Sequence, residues 1–131
     1  MPQKIIKSSK QIVQEAIDSV PKIYVNEAIS LLESKKHQFV DLRDYEEVKE
    51  KGQIPNALLS SRGMMEFHLD PESPSHKSEF NQDKIFIFYC ATGGRSALAA
   101  KVAIEMGLKT VLNLTGGVSS WKKAGGKTSN L

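Results

Sequence analysis

Short apolar runs and amphipathic stretches alternate along the chain. The clearest run, Ile85–Tyr89, is unbroken and rich in β-forming residues, which is typical of a strand buried on both faces of a sheet. Such a strand favours a central parallel sheet. Weaker strand patterns, bounded by charged or turn-forming residues, lie at 38–42, 57–59 and 111–114.

The stretches between these runs have apolar residues at helical spacing. The first helix is predicted to start after a cap at Ser8 or Ser9 and to run to Ser19, because Pro21 then stops it. Asn26 is predicted to cap the second helix. Strands that alternate with helices predict an α/β sandwich. Further helices are predicted at 45–51, 64–69, 96–106 and 118–124, and one long loop at 71–81.

The composition suits one ordinary globular domain: 131 residues, of which 40% are hydrophobic and 25% charged. No apolar run approaches the roughly 20 residues that span a bilayer, so we expect no membrane partner. The N-terminal lysines are not followed by the apolar core of a secretory signal. Cys90 is the single cysteine, which excludes an intramolecular disulfide and leads us to expect a reducing, cytoplasmic setting.

Basic residues are concentrated in one part of the chain. The formal net charge is +3, yet residues 84–131 contain seven basic residues and one acid, Glu105, for a net charge of +6. Because Cys90 lies in this segment, a small anionic substrate would be favoured near it. We expect no nucleic-acid partner, since the lysines are scattered and no aromatic residues alternate with them. For any single lysine the alternative role is solubility.

A glycine-containing loop, residues 90–96, joins the best strand to a strongly helical stretch. Cys90 therefore lies where a parallel strand ends, which is where open α/β sheets bind ligands. Loop N–H groups and the dipole of the following helix would face the sulfur and, with Arg95, favour its thiolate. Gly93 and Gly94 allow the tight curl. The pattern predicts a nucleophilic Cys90; a small buried apolar residue at a strand end is the alternative.

Residues 90–96 resemble the C-x-x-G-x-R-S active-site loop of rhodanese (thiosulfate sulfurtransferase) domains. Other segments follow in the family's order. Residues 41–44, with Glu46, resemble its D-x-R-[ED] segment. Residues 52–57 resemble its G-H-I-P-G-A segment, and residues 62–63 resemble the basic–Gly pair that follows. Residues 114–117, with Trp121 and Gly125, resemble the closing G-G-x-x-x-W-x-x-x-G.

The resemblance covers about residues 24–126, with two departures. Gln53 stands where the family usually has His, and Asn56 where it usually has Gly, both in a structural turn. Asn tolerates the left-handed conformation nearly as well as Gly, so neither departure affects the expected chemistry. We therefore divide the chain into an N-terminal helical extension, 1–22, and a rhodanese-like domain, 23–131.

The resemblance implies a three-layer α/β sandwich with a mostly parallel central sheet flanked by helices, acting as a single-domain sulfurtransferase. Cys90 would take the sulfane sulfur of a small anionic donor such as thiosulfate as a persulfide, then pass it to a thiol or protein-cysteine acceptor. No cofactor and no metal are implied, and a monomer is favoured. The implied binding residues are Ala91, Thr92, Gly93, Gly94, Arg95 and Arg62; the implied supporting residues are Asp41, Arg43 and Ser96.

Three alternatives stay open at this point. Arg95 would either bind the donor or hold the loop through a salt bridge to Asp41 or Asp44. A phosphatase of the C-x5-R type is disfavoured, because only four residues separate Cys90 from Arg95. A non-catalytic rhodanese-like sulfur carrier or partner-binding module is the third alternative, although retention of both residues argues for catalysis.

Overall fold

A computed structural model describes residues 2–131. Its strands are β1 (Lys22–Ile23), β2 (His37–Asp41), β3 (Leu58–Leu59), β4 (Ile85–Tyr89) and β5 (Val111–Leu114). They form one sheet in the order β1-β5-β4-β2-β3, in which every neighbouring pair is parallel. This arrangement confirms the predicted mixed α/β fold with a parallel sheet.

The apolar run of β4 forms the centre of the sheet because helices cover both of its faces. Phe86 and Phe88 belong to the buried cluster on one face, whereas Ile87 and Tyr89 belong to the cluster on the other. Successive side chains of a strand point to opposite faces, so an unbroken apolar run can be buried on both sides.

Helices complete the two outer layers. Buried residues of α1, α4 and α5 pack on one face of the sheet, and those of α2 and α6 pack on the other. A 3₁₀ helix (Ser78–Asn81) ends the predicted long loop and buries Phe80. The helices are α1 (Ser9–Ser19), α2 (Val25–Ile29), α3 (Tyr45–Lys51), α4 (Met65–Leu69), α5 (Gly94–Met106) and α6 (Gly117–Lys123).

The helix starts differ from prediction by two residues in α2 and α5 and by one residue in α4 and α6. Tyr24, not Asn26, occupies the N-cap of α2, because the chain leaves β1 at Ile23 and turns into the helix at once. Helix α5 begins at Gly94 rather than at residue 96, since Gly93 has a φ of +107° and caps it in a left-handed conformation. The two-residue strand β1 was not predicted, because so short a strand carries no periodic pattern.

The N-terminal helix α1 packs closely on α5. Ala16 and Val20 are buried in the same cluster as Ala97 and Ala100 of α5. Val13 approaches the start of α5 so closely that a Cβ added at Gly94 would lie 3.4 Å from it. The sheet begins at Lys22, which pairs with Asn113. The division into residues 1–22 and 23–131 stays a prediction, and Met1 lies outside the described residues.

Candidate active site

Cys90 follows β4 directly and lies at the carboxyl edge of the sheet. In the neighbouring strand β2, Asp41 pairs in register with Tyr89, so the ends of both strands meet at this edge. Cys90 is 1% exposed and belongs to the buried cluster beneath α5. Its thiol is therefore held inside the loop and not on the protein surface.

Backbone groups at the start of α5 face the sulfur. The N–H of Gly93 donates to Cys90 Sγ at 3.1 Å, and the N–H of Ser96 donates to it at 3.4 Å. Both groups belong to the free N-terminal turn of the helix, whose dipole is positive at this end. The arrangement favours negative charge on a sulfur at this position.

A buried polar network supports the same residues from β5. The hydroxyl of Ser96 lies 3.4 Å from Cys90 Sγ and donates to Asn113 Oδ1 at 2.6 Å. Asn113 Nδ2 in turn donates to the carbonyl oxygen of Gly93 at 3.2 Å. Asn113 is 4% exposed, and sequence reasoning missed it. One polar residue in the otherwise apolar run Val111–Leu114 was the available signal, because buried amides need partners.

The start of α6 holds the other end of the loop. The N–H of Val118 donates to the carbonyl oxygen of Cys90 at 2.9 Å, and the N–H of Ser119 donates to that of Ala91 at 3.0 Å. Gly117 makes this close approach possible: a Cβ added there would lie 2.5 Å from the Cys90 carbonyl oxygen. Trp121 of α6 is fully buried against Phe39, with ring centroids 5.5 Å apart.

Arg95 points to α3. Its guanidinium donates to both carboxylate oxygens of Glu47, at 2.6 and 3.0 Å. The hydrogen bonds from Arg95 lower the pKa of Glu47 to about 2, and the same contact raises the pKa of Arg95. Salt bridging was one of the two predicted roles, but the predicted partners were wrong. Asp41 is occupied by Arg43, and Asp44 caps α3.

Arg62, the other predicted donor-binding arginine, forms a salt bridge to Glu66 at 2.9 Å. This pair joins neighbouring turns at the start of α4 and is partly exposed. The Arg62 guanidinium therefore binds a carboxylate of α4 and not the loop around Cys90.

Asp41 and Arg43 form a buried ion pair behind the loop. The guanidinium donates to Asp41 Oδ2 at 2.7 Å and to the carbonyl oxygen of Gly52 at 2.7 Å. Burial alone would lower the pKa of Arg43, but hydrogen bonds and charge from Asp41 outweigh burial, so that the pKa is raised. Burial, with the Asp41 charge, raises the pKa of Tyr89, whose hydroxyl accepts from the Ile54 N–H.

A cleft of about 320 Å³ runs along one flank of the loop. Its walls come from the loop, from α6 and from the face of α3 that carries Glu47. Sequence reasoning did not single out its two lysines, which lie far apart in the chain. The cleft is lined by Arg43, Glu47, Lys51, Ala91, Thr92, Val118, Ser119 and Lys122.

Two kinds of feature are absent from residues 2–131. No helix in this part of the chain has both the length and the apolar character needed to cross a bilayer. Over the same residues, no three His, Cys, Asp or Glu side chains group as a metal site would require.

Comparison with known proteins adds sequence and structural relatives. The Rhodanese-like domain family matches residues 24–124. A sulfurtransferase from Allochromatium vinosum is 35% identical over 86 residues, which cover 66% of this chain and 72% of that protein. A structure from Rhodopseudomonas palustris, named a protein of unknown function and possible tyrosine phosphatase, has a TM-score of 0.93 at 44% identity, covering 98% of this chain and 99% of the other. A human single-domain sulfurtransferase has a TM-score of 0.67 at 26% identity, and the match covers 80% of this chain and 97% of the human chain.

Proposed function

Because this chain belongs to the rhodanese-like domain family, we propose that it is a sulfurtransferase that carries sulfane sulfur as a persulfide on Cys90. Relatives named sulfurtransferases, at about 35% identity, support the general activity. Thiosulfate as the donor and a thiol or protein cysteine as the acceptor are parts of the proposal, as is a reducing, cytoplasmic setting for the single thiol.

The observation that carries the proposal is the pair of backbone N–H groups aimed at Cys90 Sγ. Donors at 3.1 and 3.4 Å are already oriented toward the sulfur that is anionic as the attacking thiolate and becomes anionic again when the persulfide is discharged. Preorganised donors of this kind need no rearrangement during reaction and stabilise an anionic sulfur in a site that excludes water. A cysteine that served only as a small buried apolar residue would not need these two N–H donors.

The reaction proposed is a double displacement. The Cys90 thiolate attacks the outer sulfur of thiosulfate, a new S–S bond forms, and the bond to the sulfonate sulfur breaks. Sulfite leaves with the electron pair of that bond, and Cys90 becomes a persulfide. An acceptor thiolate then attacks the outer sulfur and releases the Cys90 thiolate. Two nucleophilic steps replace one difficult transfer between two anions.

Intact-mass spectrometry tests the proposal. After incubation with thiosulfate, the wild-type protein should gain the mass of one sulfur atom, and addition of a reducing thiol should remove it. The variant Cys90→Ser, which keeps nearly the same side-chain size, should gain nothing. Absence of the adduct on the wild-type protein with thiosulfate and with organic persulfide donors would support the non-catalytic binding module instead.

A phosphatase is the second candidate, because the Rhodopseudomonas palustris relative is named a possible tyrosine phosphatase. Two features of this chain disfavour it. Only four residues separate Cys90 from Arg95, and both oxygens of Glu47 occupy the Arg95 guanidinium, which a phosphate would need. We expect no hydrolysis of p-nitrophenyl phosphate. Hydrolysis by the wild-type protein that is lost in Cys90→Ser would establish the phosphatase.

A further inference from the structure

Asn113 is a buried polar side chain in an otherwise apolar strand. It lies between Leu112 and Leu114 of β5 and is 4% exposed. Side chains two positions apart share a face of a sheet, so Asn113 lies on the same face as Val111, which packs in the cluster of α5. An apolar side chain would fill this position without a partner, whereas a buried amide is costly unless it is hydrogen-bonded. The bonds that Asn113 makes therefore indicate its role.

The orientation of the Asn113 amide follows from its two partners. The carbonyl oxygen of Gly93 can only accept, so the amide group that faces it at 3.2 Å is Nδ2, which donates. Oδ1 then faces the Ser96 hydroxyl at 2.6 Å, and the hydroxyl must donate to it. Because a serine hydroxyl has one proton, Ser96 Oγ has no second proton for Cys90 Sγ, which lies 3.4 Å away. The donors to the sulfur in this network are therefore the backbone N–H groups.

Asn113 acts on the loop mainly at Gly93. The φ of Gly93 is +107°, a value that glycine adopts readily but does not hold by itself, since a glycine backbone has many accessible conformations. The Gly93 carbonyl accepts from Asn113 Nδ2 and from the Ala97 N–H, both at 3.2 Å. Two donors on one carbonyl restrict rotation of the Gly93 backbone. The Gly93 N–H is thereby held at 3.1 Å from Cys90 Sγ.

We propose that Asn113 is a positioning residue for sulfur transfer, and that it acts through Gly93 on the shorter of the two N–H contacts to Cys90. Its amide holds the left-handed turn at Gly93 and takes up the Ser96 hydroxyl proton, which leaves the sulfur to the backbone donors. The inference rests on the proposed function and deepens it by naming a residue that acts on the site through its neighbours. Such a residue affects the rate because preorganised donors stabilise charge only in the correct orientation.

Rates of sulfur loading test the two hydrogen bonds of Asn113 separately. Asn113→Asp keeps an oxygen for the Ser96 hydroxyl but loses the donor to the Gly93 carbonyl, whereas Asn113→Leu loses both bonds without adding a charge. We expect both variants to load from thiosulfate roughly tenfold to a hundredfold more slowly than the wild-type protein, because a displaced group costs that much in rate. Ser96→Ala keeps the bond from Asn113 to Gly93, so its loading should fall by only about threefold, the effect of one neutral hydrogen bond.

Ser60→Ala is the matched control for a general loss of buried hydrogen bonding. Ser60 is fully buried after β3, and its hydroxyl lies 2.8 Å from His68 Nδ1, outside the network around Cys90. Thermal unfolding should show a similar destabilisation of Ser60→Ala and Ser96→Ala, yet Ser60→Ala should load as the wild-type protein does. Loading at the wild-type rate by both Asn113 variants would overturn the proposal. A loss in Ser96→Ala as large as in Asn113→Leu would also overturn it, because the hydroxyl would then act on the sulfur directly.

A nuclear magnetic resonance measurement keeps the positioning role testable if loading itself fails. In protein labelled with isotopic glycine, the amide signal of Gly93 should move as the sulfur ionises with rising pH, because this N–H donates to Cys90 Sγ. The signal of Gly107, at the other end of α5, should not move with it. In Asn113→Leu, or in Asn113→Asp if the leucine variant does not fold, the Gly93 response should be largely lost. A normal wild-type response without loading would reject the proposed function alone, and an equal response in wild-type and variant proteins would reject the positioning role.

Discussion

Two arginine–carboxylate pairs flank the carboxyl edge of the sheet, and they differ mainly in burial. Arg43 and Asp41, at the end of β2, meet at 2.7 Å with side chains that are 1% and 0% exposed. Arg95 and Glu47, which link the Cys90 loop to α3, meet at 2.6 Å with side chains that are 38% and 34% exposed. Nearly the same contact distance therefore occurs in two very different environments.

The difference assigns the pairs to different tasks. A buried ion that loses its partner keeps its full desolvation cost, so removal of one member of the Arg43–Asp41 pair should destabilise the domain strongly. An exposed pair contributes little to folding, because water solvates both of its members when it opens. Arg95 is the second residue of α5 and precedes Ser96, whose N–H contacts the sulfur. The Arg95–Glu47 pair therefore fixes the position of residues that contact the sulfur.

The largest expected effect is on stability, from Asp41→Ala. This change leaves the guanidinium of Arg43 buried without a carboxylate, and we expect the free energy of unfolding to fall by about 3–5 kcal/mol. Urea denaturation followed by circular dichroism measures it. The double variant Asp41→Leu/Arg43→Met should recover much of the loss, because no buried charge remains. A loss below about 1 kcal/mol would mean that the buried pair behaves like an exposed one.

The next effect should appear in activity. Arg95→Met removes the contact to Glu47 but keeps the backbone of α5, so unfolding should change by less than about 1 kcal/mol. Sulfur loading from thiosulfate should fall by roughly tenfold to a hundredfold, since small displacements of preorganised groups cost that much in rate. Glu47→Gln, which keeps one acceptor for Arg95, should lose less. A variant of Arg95 that loads at the wild-type rate would contradict the positioning role.

The sequence was sufficient for the fold because its strongest signals are local. The unbroken run Ile85–Tyr89 and the charged helix Tyr45–Lys51, which Gly52 follows, carry their own patterns, and the structure has both with the predicted bounds. The strand Lys22–Ile23 was missed because two residues carry no period, and only pairing with β5 makes them a strand. Helix α5 starts two residues earlier than predicted because only Gly93 takes the positive φ expected for the curl, and Gly94 is already helical.

The site was predictable only where it is contiguous in sequence. The loop around Cys90 is one segment with a helix behind it, so the N–H donors to the sulfur could be expected. The carboxylate bound by Arg95 lies 48 residues earlier, on α3, and no local pattern distinguishes Glu47 from the acids beside it. Asn113 and the lysines of the cleft likewise reach the loop through the sheet topology.

The smallest expected effect concerns the acid sensitivity of the exposed pair. The hydrogen bonds from Arg95 hold the pKa of Glu47 at about 2, below its ordinary value of 4.5 in an unfolded chain. A carboxylate with a lowered folded-state pKa stabilises the protein fully above pH 4.5 and loses that contribution as the pH falls through 2. Because Glu47 is one-third exposed, the contribution should be under about 1 kcal/mol.

Comparison of the wild-type protein with Glu47→Gln isolates this contribution from the other carboxylates that titrate in acid. The difference in their free energies of unfolding should be constant from pH 7 to about pH 5 and should shrink toward zero near pH 2. Denaturant titrations at fixed ionic strength measure it. If the difference were already lost at pH 4.5, Arg95 would not be holding Glu47 in its charged form. The loop would then depend on the Gly93–Asn113 and α6 hydrogen bonds alone, and the two arginine pairs would differ in strength as well as in burial.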